Sequence, residues 1–260
     1  AESILTKAFS KLVAVDSRRW IKFLMDILPR FSCELAASLS DFEKRMLQMF
    51  YITVFQEAAD WSSPTAKANM QLLADSPIMM HELYELLALN LERIDFIDQP
   101  VPLGFDCPLD LHCTYTRDQI LIAMDYMTPK NVREGVKWLP DKQVDVFFIT
   151  LNKADKDYSP TTMYNDYSIN ESLFHWQSQS TTSDTASTGQ RYINHRQRGS
   201  KVVLFVREFK QDGIGAAPYT CLGTAAYVKH TGSKPMNITW HLDQPIPAKY
   251  LRKTNKLVVG

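Results

Sequence analysis

Hydrophobic side chains recur every three or four positions through the first third of the chain, which is the period of an amphipathic helix. Ser40 and Glu43 have the spacing of a capping box at the start of one such helix. Ser76-Pro77 indicates the start of another, because proline is favoured at the first helical position. We therefore predict an all-α bundle of four or five helices over residues 1–95, acting as a connector or spacer.

The pattern changes after residue 95. The segment DFIDQPVPLGFDCPLDL, residues 95–111, contains three prolines and a glycine and predicts a loop, so we place a domain boundary between residues 95 and 96. Beyond it, Thr116 caps one short helix and Thr128-Pro129 opens another that runs through Trp138. Runs rich in β-branched and aromatic residues then predict strands. These are residues 144–151, 201–209, 219–229 and 236–242. The fold class is α+β, with a mixed or closed sheet in residues 96–260.

Composition limits the possible classes of protein. The 260 residues include 45% hydrophobic and 22% charged residues, as in globular domains. No apolar run reaches 18 residues, and the first 20 residues lack the form of a signal peptide. Four scattered cysteines predict free thiols in a reducing cytoplasm. The chain begins within a helical pattern, which indicates a fragment of a longer protein.

Charge is segregated along the chain although the overall net charge is zero. Residues 1–95 contain 10 Lys and Arg against 13 Asp and Glu, and residues 96–184 contain 7 against 13. Residues 185–260 contain 12 against 3, a net charge of +9. Such a basic segment is typical of a nucleic-acid-binding surface. A solvated face with no ligand is the alternative.

A polar, aromatic stretch, residues 158–199, precedes this basic segment. Planar rings interleaved with hydrogen-bonding groups suit a flat polar ligand, of which a nucleobase is the commonest. A polar β-hairpin with cross-strand aromatic pairs explains the same residues, and both interpretations stay open. The segment FHWQSQ alternates ring and polar side chains, but the sequence does not decide which face meets a ligand. Residues 180–188 (STTSDTAST) predict a mobile loop.

Candidate binding residues follow from this stretch. Two rings could stack an extruded base while a carboxylate accepts from the exocyclic amine of cytosine. The candidates for that pocket are Tyr164, Asp166 and Trp176, with Tyr167 and Phe174 as further rings. For Asp166 a plain turn role is the alternative. The residues predicted to contact DNA are Gln177, Ser178, Gln179, Arg191, His195, Arg196, Arg198 and Lys201. Among these, the cationic side chains and His195 are expected to bind the phosphates.

Enzymatic motifs find little support. Gly213-x-Gly215 lacks the third glycine of a dinucleotide loop, and Gly-x-Ser-x-Gly is absent. The carboxylates of residues 155–171 are not followed by the Glu-x-Lys of a restriction-type nuclease core. Cys107, His112 and Cys113 match no common zinc spacing. We predict a binding module with no catalytic residue, metal or cofactor of its own.

Several strings resemble a known family. They are TLNK, YSPTTMYNDYSINESLFHWQSQS, TGQRYINH, VLFVREFK, PYTCLGTAAYV and PIPAKYLRKTNKLV, in this order. Together they resemble the C-terminal domain of bacterial helicases in which a phospholipase-D-like nuclease and a superfamily-2 ATPase come first. The best-described members are type IV restriction enzymes that cut DNA containing 5-methylcytosine or 5-hydroxymethylcytosine. The resemblance covers residues 96–260.

This resemblance implies a function and partners. Residues 96–260 would form a target-recognition domain with a barrel-like fold similar to SRA or PUA domains, and they would flip a modified cytosine out of duplex DNA. Tyr164, Asp166 and Trp176 match the two aromatics and the Asp of SRA pockets by chemistry and spacing. A loop within 180–190 would fill the gap left by the base. ATP and Mg²⁺ would serve the helicase and nuclease domains, which this chain lacks.

Two alternatives from other classes remain. One is an interaction scaffold that docks on a helicase motor and gates it without reading bases. The other is a PUA-type RNA-binding domain.

Overall fold

The computed structural model describes residues 2–152, 166–213 and 215–254. The chain forms two compact units, Ala1–Arg133 and Glu134–Gly260. Within the described ranges, no helix is long and apolar enough to cross a membrane.

The first unit is mainly helical, as predicted. Its elements are α1 (Glu2–Val13), α2 (Arg18–Ile27), a 3₁₀ helix (Leu28–Arg30), α3 (Cys33–Ser38), α4 (Asp41–Phe55), α5 (Pro64–Ala74), α6 (Pro77–Glu92), the short strand β1 (Thr114–Tyr115), α7 (Arg117–Ala123) and a second 3₁₀ helix (Pro129–Asn131). The predicted capping box of Ser40 and Glu43 is formed at α4. Thr116 and Gln119 form another at α7. Local sequence therefore sets where these two helices begin.

Residues 96–133 pack with the helices that precede them. Ser17 Oγ donates to Asp110 Oδ2 over 2.7 Å, and Arg19 Nε donates to the same oxygen over 3.0 Å. Gln119 Nε2 reaches Thr53 Oγ1 over 2.9 Å. These buried polar contacts explain why the first compact unit continues to Arg133, beyond the loop in which the sequence places a boundary.

The second unit is built on a mixed sheet. Its elements are β2 (Val136–Leu139), β3 (Val144–Asn152), β4 (Tyr167–Ser168), β5 (Leu173–Gln177), α8 (Ser187–Ile193), β6 (Lys201–Phe209), β7 (Gln211–Asp212), β8 (Gly215–Ala216), β9 (Tyr219–Thr231), β10 (Asn237–Leu242) and α9 (Ala248–Thr254). The strand order is β2-β3-β6-β9-β10-β5-β4, and β7 pairs with β8 in a separate ribbon. β3 and β6 are parallel, whereas the other neighbours are antiparallel. The predicted α+β class with a mixed sheet is confirmed.

The helix predicted through Trp138 is wrong. Val136–Leu139 is a strand that pairs antiparallel with Phe147–Val144. The helix that begins after Thr128 is a single 3₁₀ turn, and Gly135 follows before the strand begins. Pairing with a strongly apolar neighbour, β3, outweighs the weak helical pattern.

Strand β9 pairs with β6 over its first half and with β10 over its second half. Residues 220–225 pair with β6, and residues 225–231 pair with β10. Ala225 lies opposite Val202 near the start of β6 and opposite Leu242 at the end of β10. The β10-β5-β4 part of the sheet is therefore staggered along β9 relative to β6.

One face of this sheet carries the hydrophobic core of the unit. The core contains side chains from five strands and from α8. Its largest buried members are Phe147, Phe174, Trp176, Tyr192 and Trp240. Phe147 contacts all the other rings but Phe174, with centroid distances of 4.3 Å to Trp176 and 5.5 Å to both Tyr192 and Trp240.

The hydroxyl-rich segment 180–188 is packed in its middle part and partly or fully exposed elsewhere. Thr182 and Ser183 are buried, and Lys234 N donates to the carbonyl of Thr182 over 3.1 Å. Gly189 in α8 lies so close that a Cβ there would be 2.0 Å from the carbonyl oxygen of Ser183. Polar side chains in this part of the segment bond to their neighbours, and the mobility of the loop stays a prediction.

Candidate nucleic-acid interface

Strand β5 separates the predicted pocket rings by face. Because successive side chains point to opposite faces, Phe174 and Trp176 share one face, and Leu173, His175 and Gln177 share the other. Phe174 is 0% exposed and Trp176 is 5% exposed, and both belong to the core. In this structure their rings pack against other core side chains and do not border an open pocket.

The opposite face carries a stacked pair of planar rings. Tyr167 on β4 lies opposite His175 on β5 in an antiparallel pair. Their ring centroids are 4.7 Å apart and the planes are inclined by only 12°. Both side chains are half-buried, so part of each is accessible to solvent. Tyr167 is thus the one predicted pocket ring that the described structure places on an accessible face.

Two polar rows extend from this pair across neighbouring strands. His175 lies opposite Thr239 on β10, which lies opposite Lys229 on β9. Gln177 lies opposite Asn237 in the adjacent row. Lys229 is exposed, and the two amides are half-buried. We call this surface the polar face; it consists of Tyr167, His175, Gln177, Lys229, Asn237 and Thr239.

Asp166 is buried beside this face, at 2% exposure. Its Oδ1 accepts a hydrogen bond from the backbone N–H of Gln177 over 2.8 Å. This bond extends the pairing of β4 with β5 by fixing the chain that enters β4. The carboxylate thereby positions the strand that carries Gln177. Tyr164, the other ring proposed for the pocket, lies outside the described residues.

Arg191, predicted to bind phosphate, is part of a buried ion pair. Its Nε and Nη2 donate to the two oxygens of Asp145 over 2.8 and 2.9 Å. Its Cζ lies 4.4 Å from the ring centroid of Trp138. Burial raises the pKa of Asp145, and the guanidinium of Arg191 opposes that rise without cancelling it. Arg191 therefore neutralises an otherwise isolated buried carboxylate.

The remaining predicted phosphate ligands differ in exposure. His195 is 3% exposed, and its Nδ1 lies 3.2 Å from the carbonyl oxygen of Ser200. Arg196 forms an exposed ion pair with Asp243 over 2.9 Å. Arg198 is exposed, and Lys201 is half-buried at the start of β6. Of these four side chains, Arg196 and Arg198 are the most accessible to a DNA backbone.

The side chains of Ser178 and Gln179 form hydrogen bonds with loop residues. Ser178 is fully buried; its Oγ accepts from the backbone N–H of Met236 over 2.9 Å and donates to the carbonyl of Gln179 over 3.1 Å. Gln179 Oε1 accepts from Thr182 Oγ1 over 3.2 Å. Ser178 thus joins the segment after β5 to the turn before β10, whereas the side chain of Gln179 bonds within its own segment.

A family model described as a domain of unknown function, DUF3427, matches residues 109–253, more than half of the chain. The chain belongs to the DUF3427 family. No curated protein matches it.

The DUF3427 match spans all six residues of the polar face. Four of them, His175, Lys229, Asn237 and Thr239, are not among the site residues predicted from the sequence. The alternation of MNITWHL offered a signal, because Asn237 and Thr239 fall on the face opposite the buried Ile238 and Trp240. What the sequence lacked was the pairing of β10 with β5, which brings these side chains beside His175.

Proposed function

We propose that this DUF3427 domain recognises modified cytosine, 5-methylcytosine or 5-hydroxymethylcytosine, in duplex DNA, and that an extruded base binds on the polar face. The observation that carries the proposal is the stacked pair of Tyr167 and His175 on an accessible face of the sheet. A flat ring surface surrounded by hydrogen-bonding groups suits a nucleobase.

The pair offers a surface for stacking. Stacking of a base on an aromatic side chain contributes about 1–3 kcal/mol by alanine substitution. Tyr167 and His175 are held nearly parallel on adjacent strands, so the two rings are already stacked before a base arrives. Phe174 and Trp176 support this surface from the core side of β5 and take no direct part in stacking.

Gln177 and Asn237 supply the hydrogen-bonding partners. A side-chain amide has an acceptor for the N4 amine of cytosine and donors for N3 or O2. The sequence predicts that Asp166 accepts from this amine; in the structure Asp166 instead accepts from the backbone N–H of Gln177. A 5-methyl group adds contact worth about 0.8 kcal/mol. Most of the selectivity therefore comes from the fit around the base and from the cost of extruding it.

Exposed cations supply affinity for the phosphates. Arg196, Arg198, Lys229 and Lys234 are exposed, and the segment 185–260 has a net charge of +9. Phosphate contacts of this kind release counterions and make affinity depend on salt, with little dependence on sequence. Arg191, which is paired with the buried Asp145, and His195, which is itself buried, contribute to the stability of the unit in this proposal.

The wider role follows the same resemblance. The chain would be the target-recognition part of an ATP-dependent, type IV restriction endonuclease, with its helical residues connecting to the helicase and nuclease domains. Cleavage and ATP hydrolysis with Mg²⁺ would belong to those domains. The described strand path from β2 to β4 is open, and we propose that it belongs to a barrel-like, SRA- or PUA-related sheet.

The test is a fluorescence-anisotropy titration of the chain with matched duplexes that carry cytosine, 5-methylcytosine or 5-hydroxymethylcytosine, at two salt concentrations. We expect the chain to bind a modified duplex more tightly than the unmodified duplex at both salt concentrations. Tyr167→Leu and His175→Leu should each reduce the affinity for the modified duplex about tenfold, equivalent to about 1.4 kcal/mol of stacking. His241→Leu removes an exposed imidazole from the same face of β10 and should leave binding unchanged.

Other outcomes decide between the alternatives. Equal, salt-sensitive binding of all duplexes would leave only a basic surface and overturn the base-reading proposal. Displacement of bound DNA by single-stranded RNA at lower concentration than by duplex would favour a PUA-type RNA-binding domain. No binding to any nucleic acid would favour a scaffold.

A further inference from the structure

The helical unit contains an open apolar groove, which is unrelated to the polar face. The groove lies between α1 and α6 and has a volume of about 800 Å³. Its floor is formed by the buried side chains of Leu5, Leu12 and Leu83. Phe9 and Ile78 line it and are 56% and 75% exposed.

Single exposed apolar residues are normal, but several that line one concavity indicate a binding surface. Phe9 on α1 and Ile78 on α6 come from different helices and line the same groove with Met79 and Leu86. Two packed helices with a channel between them can hold a third helix, whose apolar side chains recur at positions i, i+3, i+4 and i+7.

The charges around the groove specify the kind of helix. Glu2 and Glu82 line it, and neither Lys nor Arg is among its lining residues. α6 carries three glutamates, Glu82, Glu85 and Glu92, and its sequence has no Lys or Arg. All three glutamates are exposed. A second copy of the groove would bring no Lys or Arg to Glu2 and Glu82, because none lines it, whereas Lys or Arg beside an apolar stripe would complement them.

We propose that this groove binds a basic amphipathic α-helix of a partner protein, with its apolar stripe on Leu5, Phe9, Ile78 and Leu83 and its Lys or Arg side chains beside Glu2 and Glu82. The proposal does not depend on DNA recognition. It gives the helical unit a docking role that is separate from the polar face.

The probe for this test is a fluorescein-labelled helical peptide of about 18 residues, or five turns, with one leucine stripe and lysines elsewhere. Its counterpart has glutamate in place of each lysine. We expect the lysine peptide to bind the full chain at least tenfold more tightly than the glutamate peptide. Phe9→Ser and Ile78→Ser should each weaken that binding about tenfold, since central apolar anchors dominate such interfaces.

Matched controls are available on the same unit. Leu72→Ser and Leu89→Ser change side chains that are 45% and 43% exposed and do not line the groove, so binding should stay unchanged. Glu82→Lys should reduce the preference for the lysine peptide. Equal binding of both peptides, or binding that Ile78→Ser leaves intact, would overturn the proposal. A dimer in light scattering that Ile78→Ser dissociates would assign the groove to a second copy and overturn it also.

Discussion

The backbone N–H of Tyr227 donates a hydrogen bond to Nε2 of His195 over 3.1 Å. Since a backbone N–H can only donate, Nε2 is the unprotonated nitrogen, and the ring proton is on Nδ1, which donates to the carbonyl of Ser200. Tyr227 lies on β9 beyond Ala225, the last β9 residue that pairs with β6. His195 therefore accepts a hydrogen bond from a part of β9 that extends beyond the end of β6.

This geometry predicts a pH-dependent stability. Burial lowers the pKa of His195 below its ordinary value of 6.5, so the unfolded chain binds a proton more readily than the folded one. The stabilisation is present above pH 6.5 and is lost as the pH falls through the lower pKa of the folded state. His195→Gln removes the titration while keeping an acceptor. Urea unfolding from pH 8 to pH 5 should show a steeper loss of stability for the wild type than for the variant.

The substitution has a cost at neutral pH. Any weakening of the acceptor for Tyr227 should lower the free energy of unfolding by about 1–3 kcal/mol, and His195→Leu should reach the upper part of that range. Parallel pH profiles for wild type and His195→Gln would show that His195 does not titrate as described.

The ion pair of Asp145 and Arg191 predicts a large effect on stability. Asp145 is fully buried, and removal of its partner leaves an uncompensated carboxylate. Arg191→Met should lower the free energy of unfolding by about 3–5 kcal/mol, measured by chemical denaturation. Arg198→Gln, at an exposed position, should change it by less than about 0.5 kcal/mol.

The same two variants distinguish the roles in DNA binding. Under conditions where both are folded, Arg198→Gln should weaken binding to every duplex and reduce its salt dependence, whereas Arg191→Met should not. The reverse pattern would restore Arg191 to the phosphate-binding role predicted from the sequence.

The two faces of β5 and β4 should respond differently to loss of a ring. Phe174 is fully buried, so Phe174→Ala should lower the free energy of unfolding by about 3–5 kcal/mol. Tyr167→Leu, on the accessible face, should cost less than about 1.5 kcal/mol while reducing DNA affinity. Thermal and chemical unfolding of both variants would check the contrast. A mild effect of Phe174→Ala would mean that the ring is not part of the core.

Gly189 predicts a steric effect. The Cβ of an alanine would lie 2.0 Å from the carbonyl oxygen of Ser183, so α8 and the segment before it would have to separate. Gly189→Ala should destabilise the chain by about 1–3 kcal/mol. Gly213→Ala is the matched control, because no atom lies within 4 Å of its added Cβ. Equal melting temperatures of the two variants would contradict this packing.

Local signals predicted much of the secondary structure. The strands predicted over 144–151 and 201–209 match β3 and β6 to within one residue, because runs of Val, Ile and Phe bounded by turns leave few alternatives. The capping boxes at Ser40 and Thr116 are equally local. Two-residue elements such as β4 carry too little pattern to be predicted.

The candidate site could not be predicted as well, for a physical reason. The alternation in FHWQSQ identified two faces, but only the pairing of β5 with β10 and β4 decides which face is covered. Arg191 and His195 have the same residue types as phosphate ligands. Their roles depend on Asp145 and Tyr227, which lie 46 and 32 positions away in sequence. Such long-range contacts produce no local pattern in the sequence.

The pairing of β9 with both β6 and β10 connects a ligand on the polar face to strands that the ligand does not contact. Because its first half pairs with β6 and its second half pairs with β10, β9 links the two parts of the sheet. Amide hydrogen exchange in β3, two strands from β9, should therefore slow when a ligand binds between β4 and β10. Occupancy of the polar face would be reported by protons that the ligand never touches.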